Sequence, residues 1–175
     1  MLLLQLRFLL FPFLLFMASA TFAQVNLNYA LHANIIYRFT KYIDWPDEKK
    51  SGDFVIGIIG DSPLYDEIES FTANKIVGKQ KIVIKNFSAS AKAYNCQVLF
   101  VNDDESRHLK RIATLTQGLP ILLITESPGL ALKGSCINFS IVDEHLKLEI
   151  NKKNLEQRHF SVASDFFGMG VLVKN

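Results

Sequence analysis

The chain has 175 residues, 49% of them hydrophobic, and carries 19 basic against 17 acidic side chains for a net charge of +2. That length suits one domain with a normal core. The near-neutral balance argues against a nucleic-acid or anionic-membrane partner, because neutralising phosphates needs a one-sided surplus of Lys and Arg, and no such block occurs.

The first stretch, MLLLQLRFLLFPFLLFMASATFAQ, has Arg7, an apolar run from Phe8 to Met17 and small residues up to Ala23. This is the pattern of a secretory signal cut between Ala23 and Gln24. The run falls well short of the roughly 20 residues that span a bilayer, and Pro12 sits within it. The expected organisation is a signal peptide over residues 1–23 and one exported domain over 24–175, with no linker or internal repeat dividing the domain.

From Tyr29 to Pro46, Ile35, Ile36, Phe39, Tyr42 and Ile43 recur at the spacing that puts side chains on one helix face. Pro46 biases Trp45 out of the α region, so the predicted helix ends with Trp45 at the lip of whatever Phe39 and Ile43 pack against. Phe54–Ile59 is an unbroken apolar, β-branched run, the mark of a strand buried on both faces in a parallel sheet. In Gly60-Asp61-Ser62-Pro63, Ser62 offers a cap and Pro63 a first helical position for a helix reaching Phe71. Strands follow at 81–85, 97–101 and 120–124, with a helix from about Ser106 to Thr116 whose acidic start suits the helix dipole. Ser127-Pro128 repeats the earlier cap chemistry. Residues 137–142 and 145–150 both alternate around Asp143-Glu144, which predicts a hairpin. From about Asn154 to Val173 the pattern reads as a helix with a break near Arg158, apolar almost all round: Phe160, Ala163, Phe167 and Val171 on one side, Val162, Phe166, Met169 and Val173 on another. It must bury itself in the core, against a partner or against a second copy. The fold class expected is a single-domain α/β sandwich: a mostly parallel sheet of five or six strands, helices on both faces and an antiparallel hairpin at one edge.

Several of these phrases, in this order, resemble the YfiR-like family of periplasmic regulatory proteins. The matching features are Tyr37, Phe39, Tyr42, Trp45 and Pro46 at the first helix, Phe54 to Gly60, Cys96 to Val101, Leu148-Glu149-Ile150-Asn151, and the Ser-bearing apolar run Phe160 to Val173. The resemblance covers nearly all of the mature chain. It implies a non-enzymatic protein without cofactor that binds the periplasmic sensory domain of an inner-membrane signalling enzyme, best known as a repressor of a diguanylate cyclase. Tyr42, Trp45, Phe160, Phe166, Phe167 and Met169 are then the candidate partner-binding residues. Members with further cysteines form disulfides, whereas this chain has only Cys96 and Cys136.

Two cysteines in an oxidising compartment usually pair. If the strand at Ile121 lies between theirs, however, they stand about 9.5 Å apart, beyond the roughly 7 Å that a disulfide bridges, so buried thiols are favoured over a Cys96–Cys136 bond. Gly60-Asp61-Ser62 resembles the opening of GDSL-type hydrolases, but Asp143 and His145 are two apart where that chemistry wants three, and no His follows Asp165. His32, His108, His145 and His159 show no metal-ligand spacing. Asp61, Asp103 and Glu126 all follow strands, where α/β sheets bind ligands. That spacing leaves a periplasmic small-ligand-binding protein as the alternative to the regulator.

Overall fold

The computed structural model describes residues 29–143 and 145–174. The predicted leader and its cut before Gln24 lie outside them. Helix α1 covers 29–39, after which the chain turns into a short strand, β1 (Ile43–Asp44). Strand β2 (Phe54–Ile59) leads through α2 (Leu64–Thr72) to a hairpin of β3 (Ile76–Val77) and β4 (Gln80–Phe87). Then come β5 (Val98–Val101), α3 (Leu109–Thr116), β6 (Leu122–Thr125), the hairpin of β7 (Ile137–Val142) and β8 (His145–Asn151), α4 (Lys152–Glu156), β9 (Ser161–Val162) and β10 (Val171–Val173).

Eight strands form one sheet in the order β10-β8-β7-β6-β5-β2-β4-β3, and β1 pairs with β9 in a separate two-stranded sheet. The run from β4 through β7 is parallel throughout. This is the α/β class expected. The strand count exceeds the predicted one because β3 and β10 add short strands at the two edges, and β10 covers the hairpin by pairing parallel with β8. All residues of β2, β5 and β6 are buried, which is why they read as unbroken apolar runs. The connection from β2 leads to β4 on one side and that from β5 to β6 on the other, so right-handed crossovers put α2 and α3 on opposite faces and leave a switch point between β2 and β5.

Local chemistry explains the joints. Ser62 Oγ accepts from the Leu64 amide at 3.3 Å and Pro63 is already helical, as predicted. The similar Ser127-Pro128 does something else: Gly129 takes φ +74°, only a 3₁₀ turn (Leu130–Lys133) follows, and the Ser127 hydroxyl donates to Asp103 across the sheet end. Gly60 has φ +98°, and a Cβ there would meet Asn102 Cβ at 2.9 Å. That close approach lets Asn102 Nδ2 donate to the Asp61 carbonyl at 2.6 Å and stitch β2 to β5.

Of the predicted C-terminal helix only the start forms, within α4, and the break falls near Arg158 as expected; beyond it the predicted helix does not continue. After α4, Arg158 turns inward and its guanidinium donates to the carbonyls of Thr116 (2.7 Å) and Ile121 (3.4 Å). His159 then breaks the helix at φ +60°. The rest is β9, a 3₁₀ turn (Ser164–Met169) and β10. Gly170 is pressed against β8 so closely that a Cβ would lie 2.5 Å from the Leu148 carbonyl oxygen. An apolar run can be buried as edge strand and turn as well as in a helix, and the β-branched Val171 and Val173 favour the strand.

Strand β6 lies between β5 and β7, so Cys96 and Cys136 stand two strands apart; both are free and buried. Burial pushes the Cys96 thiol up to about 12 and raises that of Cys136 as well. In the folded protein neither should react with a thiol probe at neutral pH. Denaturation without reductant should release both, and finding neither reactive there would mean a disulfide and a different strand order.

Candidate functional site

Pairing of β1 with β9 joins the end of α1 to the C-terminal segment. Ile43 aligns with Val162 and Asp44 with Ser161, and the Ala163 amide donates to the Tyr42 carbonyl at 2.9 Å. Aromatic rings interlock around this ladder. Trp45 packs edge-on to Phe54 (5.0 Å) and Phe160 (5.7 Å). Phe166 meets Phe39 (5.3 Å), Tyr42 (6.5 Å) and Phe167 (5.9 Å), with all these distances between ring centroids.

Of the predicted partner-binding residues, Tyr42, Phe160, Phe167 and Met169 are half-buried and line the outside of this cluster. Phe166 is fully buried and Trp45 only 4% exposed, so these two support the surface from behind. The expectation of Trp45 at a lip fails because Phe160 covers it. A hollow of about 380 Å³ adjoins Trp45, walled by Ile43, Phe54 and Val77, with Lys50 and Lys79 also lining it.

A second region lies beyond the carboxyl ends of the strands. At the β2/β5 switch point a crevice of about 550 Å³ is lined by Asp61, Ser62, Tyr65, Ser88, Glu105, Arg107 and His108, among others. Asp61 is therefore in it, whereas Asp103 and Glu126 are not among its walls. They belong to a polar cluster beside it, in which the Glu126 side chain is largely buried and Asp103 is exposed. Glu126 Oε1 accepts from the Asp103 amide at 3.4 Å, and Glu126 Oε2 lies 4.0 Å from His32 Nδ1. His32, 6% exposed, stacks on Phe139 at 4.3 Å, and neither ring nitrogen has a hydrogen-bond partner among the described residues. Burial, reinforced by the charges of Asp103 and Asp104, pushes Glu126 up from 4.5 to about 7. Burial alone holds His32 down from 6.5 to about 4. Tyr29 is raised by burial first and by the charge of Glu126 second.

Ser62 is a helix cap, and among the described residues no imidazole bonds its hydroxyl. Asp143 and His145 lie across the β7–β8 turn, and the His145 ring contacts the Asp143 carbonyl. Among the described residues no group of three His, Cys, Asp or Glu side chains has the arrangement of a metal site. Sequence reading missed Asn138, buried in the sheet, which accepts from Thr125 Oγ1 (2.7 Å) and donates to Glu149 (2.9 Å). Asn138 and Ser140 are the two polar positions of β7, both buried, so the alternation of the strand did not mark Asn138 out.

Residues 29–170 match the YfiR/HmsC-like family. The chain belongs to that family. No curated protein matches it. YfiR/HmsC-like proteins are periplasmic, non-catalytic regulators that act in cyclic di-GMP signalling on inner-membrane proteins, and membership carries that assignment at the level of the family. No helix among the described residues is long and apolar enough to cross a membrane.

The buried pair makes a pH prediction. Glu126, raised, contributes stability below its ordinary value that is lost as pH rises through about 7. His32, lowered, contributes stability above 6.5 that is lost as pH falls through about 4. Between these limits the unfolded chain carries one proton on His32 and the folded chain carries it on Glu126, so the pair cancels. The variant His32→Phe should lose stability on raising the pH from 4.5 to 7, and Glu126→Gln on lowering it from 6.5 to 4, each by at most about 1.4 kcal/mol per pH unit. Urea unfolding across that range checks it, and slopes of the same sign in both variants would refute the opposed shifts.

Proposed function

We propose that this protein is exported with a cleaved leader over residues 1–23 and represses an inner-membrane diguanylate cyclase by binding its periplasmic sensory domain, so lowering cyclic di-GMP. Tyr42, Phe160, Phe167 and Met169 make the contact, over a floor of Trp45 and Phe166. The observation that carries this reading is the joining of two aromatic segments from opposite ends of the domain into one half-exposed cluster by the β1–β9 ladder. Half-exposed aromatic rings on a rigid support are the anchors that protein interfaces favour. The cyclase's active part is cytoplasmic, so control from the periplasm works by preferring one conformation of the partner's outer domain. A tenfold shift needs about 1.4 kcal/mol of differential affinity, within reach of a modest interface.

The switch-point crevice supports a second reading, that of a small-ligand-binding protein. A ligand that fills it would raise the thermal midpoint by mass action, whereas a contact regulator co-purifies with its membrane partner.

Deleting the gene should raise cyclic di-GMP, increase biofilm and lower motility. The pair Tyr42→Ser and Phe167→Ser should mimic deletion while the protein remains folded and exported. Trp45→Ala should instead unfold it, since losing a buried aromatic costs about 3–5 kcal/mol. Unchanged cyclic di-GMP in the deletion strain, under every condition in which the protein is made, would refute the repressor and favour the ligand binder.

A further inference from the structure

Two adjoining hollows, of about 680 Å³ and about 220 Å³, run between α3, the Leu130–Lys133 turn and the region of α4. Lys110, Lys133, Gly134 and Asn154 line both. Arg107 lines the larger and Arg158 the smaller, and no Asp or Glu lines either. In a chain whose charges nearly balance, a groove whose charged lining residues are all cations is a local segregation of charge. Neither Lys110 nor Lys133 forms an ion pair among the described residues, and both are exposed. At the α3 end of the groove the Arg158 guanidinium donates to the Thr116 carbonyl, which offsets part of the helix's negative pole there.

The groove is also held in shape. Gly134 sits at φ +124°, with an added Cβ only 2.7 Å from Ala113 Cβ, so the turn presses against α3 as only glycine allows. An apolar strip accompanies the cations: Leu109 and Leu130 are buried in the larger hollow and Leu132 is 52% exposed beside them.

We infer that this groove docks an acidic polypeptide segment carrying an apolar side chain, with Lys110 and Lys133 meeting its carboxylates and Leu132 its apolar group. The inference goes beyond the cyclase reading and shares no residue with the aromatic cluster. An elongated groove with an apolar wall suits a chain better than a small inorganic anion, which needs neither the length nor Leu132.

The test uses the mature protein and a fluorescein-labelled peptide of alternating Glu and Leu, followed by anisotropy. Lys110→Glu with Lys133→Glu should weaken binding by about tenfold or more, while the matched reversal Lys81→Glu with Lys85→Glu on β4 should not. Lys110→Gln with Lys133→Gln should fall between, which keeps the test valid if the double reversal disturbs folding. Binding should weaken with salt and on replacing Leu by Ser in the peptide. Equal affinity in the Lys110/Lys133 and Lys81/Lys85 variants would overturn the inference. So would absence of binding, or full displacement of the peptide by an equal concentration of inorganic phosphate.

Discussion

The β1–β9 ladder is the constraint on which the functional surface depends. It is short, and each of its hydrogen bonds contributes only about 0.5–1.5 kcal/mol net. The rings around it matter more, because burying an aromatic side chain is worth several times that. Trp45 needs Phe160, and Phe39 needs Phe166, to be covered. The ladder sets their register. Were β9 to slip by one residue against β1, the side chains of the segment would exchange faces, turning Val162 away from Ile43.

That closure divides the molecule's work between two ends of the sheet. At one, aromatic rings supply an apolar, shape-specific surface. At the carboxyl ends of the strands, polar groups gather because a parallel sheet with a switch point leaves its loops splayed there. Gly60, Asn102 and Ser127 tie those loops together, and His32 with Glu126 fills the space beneath α1. A buried imidazole and carboxyl without full hydrogen bonding are tolerated there because burial favours the neutral form of each, His32 unprotonated and Glu126 protonated.

The central sheet was legible because its strands are buried on both faces, so Phe54–Ile59 and Val98–Val101 carry their environment in composition alone. Ser62-Pro63 was legible because capping is local. What the sequence hid was long-range. Ser127-Pro128 has the same local chemistry as Ser62-Pro63, yet Asp103 takes the Ser127 hydroxyl from another strand. The segment from Phe160 to Val173 has helical periodicity, but Arg158 anchored on Thr116 and Ile121 and Gly170 seated on Leu148 redirect it into turn and strand. The aromatic phrases at 42–45 and 160–169 were recognisable as candidates. Which rings face outward was not, because Trp45 is covered by Phe160 from the far end of the chain.

Native-state amide hydrogen exchange across the β1–β9 ladder tests this account most directly. If the ladder and its rings form one cooperative unit, the Ala163 amide, bonded to the Tyr42 carbonyl, should exchange with the same opening free energy as the amides of α1, and Phe160→Ala should lower both together. Exchange of the Ala163 amide near the free-peptide rate while α1 stays protected would show that the C-terminal segment is not held there, and the surface assigned to it would not exist.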